Sequence, residues 1–309
     1  MHVYLPIAQM VVNIFDIISL GFIAGIASGL FGIGGGIIAT PMMIFFGIPT
    51  SVAVGTASLQ ILGTSFAGTI KNLRGNNIDF TAGTIMFIGG YIGSTFGEII
   101  FTWLKQHGHI DLAIAIIFAL VTMIVTIILL ADVFFGEQIM KRSIKRKMQD
   151  PNYSRRLKSI NNKNTKQTIF AVYSPIANRY YNAIYLIALG ALVGTIGAII
   201  GIGGALISVP VMTYFLRLPF KSAAATALYQ TMLTSINLLI LQAHNSTIDV
   251  VLGCCMLIGA VFSVHIGVKL ASILPVKITK FLLAVIVAIL CVLFLLKVFA
   301  IPKNIFFVE

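Results

Sequence analysis

"GLFGIGGGIIATP", residues Gly29 to Pro41, lies inside one of the most apolar parts of the chain. Glycine is a poor helix former and exposes backbone polar groups. A glycine cluster where an unbroken helix would be safest therefore needs a reason. The pattern recurs about 170 residues later as Gly201-Ile202-Gly203-Gly204-Ala205, and Pro210 follows it as Pro41 follows the first.

The surroundings define the medium. Of 309 residues, 58% are hydrophobic and 10% charged, and the mean hydropathy is +1.01. Runs of about 20 apolar residues recur along the chain, which predicts a polytopic helical membrane protein. The runs are continuous rather than alternating, so a barrel is not expected. The N-terminus has no basic region and no small-residue cleavage site, so no removable signal peptide is expected. Cys254, Cys255 and Cys291 lie in apolar segments without ligand spacing and read as small hydrophobes. The net charge of +12 is assigned to loops that orient helices in a lipid bilayer, not to nucleic acid.

Residues 16–135 align with 185–299 well beyond the glycines. Leu20, Gly21 and Gly25 match Leu189, Gly190 and Gly194. After a one-residue insertion, Pro49, Thr56, Gln60, Thr64 and Ser65 match Pro219, Thr226, Gln230, Thr234 and Ser235, and Asp79 matches Asp249. Two copies of one unit are a common transporter plan. The expected division is a first repeat over 1–135, a basic linker over 136–183 and a second repeat over 184–309. Each copy reads as four apolar segments, the first running over 14–48 and 184–218.

That first segment has an awkward length. As one helix, 14–48 would run roughly 50 Å, against a hydrocarbon core about 30 Å thick, and two full crossings need about 40 residues. A glycine break resolves this by making two short half-helices that enter and leave on one side, with the tip near mid-membrane. Non-helical backbone is tolerated there only if protein packs around it or it lines a polar cavity.

Loop charge decides between topologies. The linker holds 11 of the 21 Lys and Arg and is taken as cytoplasmic. If each first segment crosses, the copies are parallel, with 15 basic residues inside and 6 outside. If each is re-entrant, the copies are inverted, with 18 basic residues inside and only Lys105, Lys297 and Lys303 outside. The positive-inside rule favours the second arrangement. The expected fold is all-α and polytopic: two inverted repeats, each a glycine-broken re-entrant hairpin followed by three transmembrane helices.

Half-helix N-termini leave N–H groups unpaired with partial positive charge. Glycines let those groups approach a ligand and form an anion nest. The competing reading is close helix packing by small residues. Thr56, Gln60 and Thr64 fall at i, i+4 and i+8 on one helical face, as do Thr226, Gln230 and Thr234. They read as a polar wall on a substrate path, or as interhelical hydrogen bonds that hold the bundle. Asp79 and Asp249 suit helix N-caps. Glu98, His265 and Lys269 read as interfacial or snorkelling groups, with proton coupling as the alternative. "KRSIKRK" (141–147) is a topology determinant, with anionic lipid as a secondary contact. No catalytic triad, carboxylate pair, metal cluster or nucleotide motif is present, so neither enzyme chemistry nor a cofactor is expected.

"GLFGIGGGIIATPMMIFFGIP" with "AVGTASLQ", then "GIGGALISVPVM" with "AAATALYQ", resembles the sulfite exporter TauE/SafE family, also called the 4-toluenesulfonate uptake permease family. The resemblance covers nearly both repeats. It implies a bacterial inner-membrane transporter of sulfur-containing anions, with substrate and direction left open. The candidate substrate residues come from the reading of the residues above. They are Gly32, Gly34, Gly35, Gly36, Thr56, Gln60, Thr64 and Ser65, with Gly201, Gly203, Gly204, Thr226, Gln230, Thr234 and Ser235. A passive anion channel and a non-transporting scaffold or assembly factor remain as alternatives. Coupling ion and homo-oligomeric state stay open.

Overall fold

The computed structural model describes residues 2–108, 110–148 and 171–300, with side chains described to 134 in α5 and to 296 at the end. The described residues form ten helices and two short hairpins. The first copy contains β1 (His2–Leu5), β2 (Met10–Asn13), α1 (Ile14–Phe31), α2 (Gly36–Phe45), α3 (Thr50–Leu73), α4 (Phe80–Gln106) and α5 (Ile110–Met148). The second contains β3 (Ala171–Ser174), β4 (Arg179–Asn182), α6 (Ala183–Ile200), α7 (Ala205–Tyr214), α8 (Phe220–His244), α9 (Val250–Ile273) and α10 (Val276–Ala300).

Among the described residues, seven helices are long and apolar enough to cross a membrane: α1, α4, α5, α6, α8, α9 and α10. Helix α3 is long enough but falls outside this set, because Thr56, Ser58, Gln60, Thr64 and Ser65 lower its hydropathy. All five are buried. The chain is thus an all-α polytopic membrane protein.

The first segment breaks at the glycines, but not into equal halves. Helix α1 has 18 residues and α2 has 10, about 27 and 15 Å. The glycines sit past the middle of the segment, so one limb is nearly membrane-length and the other short. The second copy repeats this with α6 and α7.

Close glycine contacts fix helix directions. Gly21, Gly25 and Gly29 of α1 face Met256, Ala260 and Val264 of α9, so these helices run parallel. Gly190 and Gly194 of α6 face Met86 and Gly90 of α4, again parallel. Gly83 and Gly90 of α4 meet Thr226 and Thr234 of α8, and Gly253 of α9 meets Thr56 of α3. Gly55 sits beside Thr247, just past α8, while Gly68 meets Leu228 near its start, so α3 and α8 run antiparallel. Helices α1, α3 and α9 therefore point one way, and α4, α6 and α8 the other. Because α1 and α3 share a direction, α2 and the loop after it carry the chain back. Helices α5 and α10 pair at the side, with Phe118 stacked on Phe294 and Lys280 bridging Asp132.

The two strand hairpins are a feature the sequence reading missed. Its alignment began at residue 16, yet Val3-Tyr4, Pro6-Ile7-Ala8 and Asn13 recur as Val172-Tyr173, Pro175-Ile176-Ala177 and Asn182. The span expected as linker, 136–183, therefore contains the end of α5 and the β3–β4 hairpin. The side chains of the 141–147 run lie outside the described ones.

Each hairpin clasps the opposite copy. Asp249 caps α9 by accepting from Leu252 N–H, and its other oxygen accepts from Ile7 and Ala8 N–H in the β1–β2 turn. Asp79 caps α4 by accepting from Ala82 N–H, and its other oxygen accepts from Ser174 Oγ. The N-cap reading of both aspartates agrees with these contacts. The backbone N–H of Asp249 donates to Thr56 Oγ1, and that of Asp79 to Thr226 Oγ1, each at 3.0 Å. Thr56→Val would orphan a buried N–H, so stability should fall by about 1–3 kcal/mol. Detergent melting checks this; an unchanged melting temperature would remove the clasp from the account.

Candidate functional site

Three glycines in each break adopt positive φ: Gly32, Gly34 and Gly35 at 75°, 69° and 76°, and Gly201, Gly203 and Gly204 at 74°, 70° and 78°. L side chains rarely tolerate that region, which explains the Gly-Ile-Gly-Gly pattern in both copies. Gly32 and Gly201 end α1 and α6, their N–H groups donating to Ser28 O and Gly197 O. Gly35 and Gly204 stand at the N-caps of α2 and α7. Gly36 has a different reason: a Cβ there would lie 2.5 Å from Ile61 Cδ1 and 3.0 Å from Ile202 Cα.

The two turns meet. Thr40 Oγ1 donates to Gly201 O across the copies at 2.9 Å. Cβ atoms built on Gly34 and Gly203 would both abut Ile61 and Thr231. These two residues are themselves equivalent in the repeat, so both turns converge on one matched pair.

The N-termini of α2 and α7 open at this junction. Among the described residues, the N–H groups of Ile33 to Ile37 and of Gly203 to Leu206 donate to no protein acceptor. Helix starts leave such groups orphaned and partly positive.

Unpartnered side chains surround them. Gln60 is fully buried, and neither its Nε2 nor its Oε1 has a partner. Its Nε2 lies 3.0 Å from the Cβ position of Gly35. Ser65 and Thr231 are buried with unpartnered hydroxyls, and Ser65 Oγ lies 3.1 Å from the Cβ position of Gly34. Buried polar groups normally find partners, so three orphans beside unpaired N–H groups make an unsatisfied polar cluster. Such a set can donate to a small anion.

The structure separates the residues that the sequence grouped. Gly34, Gly35, Gly36, Gln60, Ser65, Gly203 and Gly204 gather at the junction. Thr64 supports it by donating to Gly34 O at 2.7 Å. Thr234 bonds within α8 to Gln230 O and Thr231 O, and Ser235 to Met232 O. Thr56 and Thr226 serve the aspartate clasps instead. Thr231 was missed because its equivalent is Ile61, so the repeat did not mark the position as polar.

Gln60 and Gln230 also part company. Ser208 Oγ donates to Gln230 Oε1 at 2.8 Å, whereas Ala39 occupies the equivalent position beside Gln60. Gln230→Leu would orphan the Ser208 hydroxyl and should cost about 1–3 kcal/mol of stability. Gln60→Leu removes an already unpartnered amide, so melting should hold or rise. Its anion affinity should fall about 10- to 150-fold, as for one lost hydrogen bond to a charged group. Melting and binding on the same preparations check both; equal melting losses would contradict the distinction.

A polytopic helical bundle with broken helices meeting at a buried polar junction has the construction seen in membrane transporters. The family model described as sulfite exporter TauE/SafE matches residues 17–294, and the chain belongs to that family. It is 34% identical over 92 residues to the probable membrane transporter protein YunE of Bacillus subtilis, covering 27% of this chain and 34% of that protein. It is 31% identical over 93 residues to a probable membrane transporter protein of Xylella fastidiosa, covering 30% and 36%. It is 30% identical over 108 residues to the sulfite exporter TauE/SafE family protein 6 of Arabidopsis thaliana, covering 34% and 24%. The chain spans about a third or less of the length of these relatives. No solved structure gives a significant match. These names are those of membrane transporters rather than enzymes.

Proposed function

We propose that the chain is a secondary transporter of small sulfur-containing anions, such as sulfite or sulfonates, working by alternating access in a bacterial inner membrane. The observation that carries this reading is the convergence of two helix N-termini on Gln60, Ser65 and Thr231, all buried and unpartnered. The family name supports the sulfur chemistry. The opposed directions of α1 and α6, α3 and α8, and α4 and α9 support inverted copies, which rocking between repeats requires. The compensating charge comes from helix ends, since no Lys or Arg is among the residues gathered at the junction.

The linker end is the cytoplasmic one in this proposal. Lys71, Arg74, Lys221, Lys269 and Lys280 lie at the end of the bundle where α3 and α9 finish and α8 and α10 begin. Single cysteines at Asn76 and Asn178 should label from the cytoplasm, and those at Gln9 and Gly108 from outside. Labelling of all four from one face would sink the inverted topology.

Purified protein in proteoliposomes, screened with sulfite, taurine and aromatic sulfonates at independently set pH and voltage, tests the transport reading. Saturable counterflow of at least one of them is expected. Flux without counterflow would indicate a channel, and absence of both would indicate a scaffold.

A further inference from the structure

The two ends of the bundle differ in what stands over the glycine turns. At the end where α3 stops and α8 begins lies a cavity of about 460 Å³. Its wall includes Gly32, the first glycine of the break, and Ala224 packed against it. Lys71, Lys221 and Lys269 also line it, from three different helices, and among the described residues no carboxylate does. All three lysines are exposed, so the cavity has a basic mouth and a floor at the glycine turn. Lys221 Nζ donates to Ser272 O, which holds that side chain over the cavity wall.

The opposite end is built from equivalent residues but differs in both charge and filling. Lys221 and Lys269 are replaced there by Ser51 and Ile99. Val268 and Asn72, which line the cavity, correspond to Glu98 and Gln242. Glu98 is buried and accepts from Gln242 Nε2 at 3.3 Å and Asn245 Nδ2 at 3.0 Å. Asn245 also donates to Thr102 Oγ1, so the network ties α4 to α8. An acid and its amide partners thus occupy the place that is cavity and lysine at the other end.

We propose that the Lys71–Lys221–Lys269 cavity is an anion antechamber. It gathers a small free oxyanion at one end of the bundle and delivers it to Gly32, while Glu98 and its partners close the other end. The proposal rests on the reading of the glycine junction as the transported anion's site. Three cations around a partly enclosed cavity focus the field on its interior and raise local anion concentration by tenfold or more.

The test is the charge selectivity of a thiol reagent in the cavity. A cysteine at Ala224, or at Ala271 if that variant fails to fold, is placed in a chain with Cys254, Cys255 and Cys291 changed to serine. The protein is reconstituted in phosphatidylcholine vesicles. Anionic sulfonatoethyl methanethiosulfonate should react faster, relative to the cationic trimethylammonium reagent, by about tenfold over the Lys71→Gln, Lys221→Gln, Lys269→Gln variant. Millimolar sulfate should slow the anionic reagent only when the lysines are present. Equal reagent ratios with and without the lysines would overturn the proposal. So would a preference that vanishes on adding phosphatidylglycerol, which would assign the cavity to a lipid headgroup. Labelling needs no flux. A charge preference without counterflow would therefore sink the transport reading alone, and counterflow without preference would sink the antechamber alone.

Discussion

Gly89→Leu should yield no stably folded protein. A Cβ at Gly89 would stand 1.9 Å from Ile187 O, and the atoms behind that oxygen are backbone of α6. The same interface repeats the demand at Gly93, where Cβ would meet Ala191 O at 2.0 Å, and at Gly190, where it would meet Met86 O at 2.1 Å. Helices in lipid associate through such close backbone approach, since no hydrophobic force separates protein from tails. A leucine must drive α4 from α6 along their length, a cost of at least about 3 kcal/mol and above the usual range for overpacking. Size-exclusion chromatography should show aggregate or no recoverable protein. A monodisperse Gly89→Leu peak with wild-type melting would show that the interface is looser than described.

Gly34→Ala should do the reverse, leaving a folded protein that transports poorly. Its φ of 69° strains any L residue, by roughly 1–2 kcal/mol. The new methyl meets only side-chain atoms, Ser65 Oγ, Ile61 Cγ2 and Thr231 Cγ2, at 3.1–3.3 Å. These can shift by tenths of an ångström, so melting should fall by only a few degrees. The methyl nevertheless stands among Ser65, Ile61 and Thr231, against the unpaired N–H groups that an anion would have to reach. Loss of two hydrogen bonds to a charged ligand costs about 3 kcal/mol or more, which is over a hundredfold in affinity. Sulfite counterflow per folded molecule is the measurement, and a rate within threefold of wild type would contradict the site.

The contrast between these glycines shows what the sequence could and could not tell. The repeated Gly-Ile-Gly-Gly pattern marked both breaks correctly, because three positive φ values leave little choice of residue. It did not distinguish Gly34, which faces side chains, from Gly32, whose Cβ would meet the backbone of Ala224 at 2.6 Å. The i, i+4, i+8 spacing correctly put Thr56, Gln60 and Thr64 on one buried face. Spacing along a helix cannot say what stands opposite each level. Thr56 meets the N–H of Asp249, Thr64 meets Gly34 O, and only Gln60 is left unpartnered. The strand hairpins were legible as a repeat but too short to stand out as strands. Their purpose is clear only when the turn of one is seen to clasp Asp249 in the other copy.

The claim that the glycine junction holds the anion is tested most directly by titrating sulfite into purified protein by calorimetry. Wild type, Gly34→Ala and Gln60→Leu should be compared at matched folded fraction. One saturable site in wild type, with affinity lowered about 10- to 150-fold in Gln60→Leu and over a hundredfold in Gly34→Ala, is the expected result. Wild-type affinity in both folded variants would contradict the account.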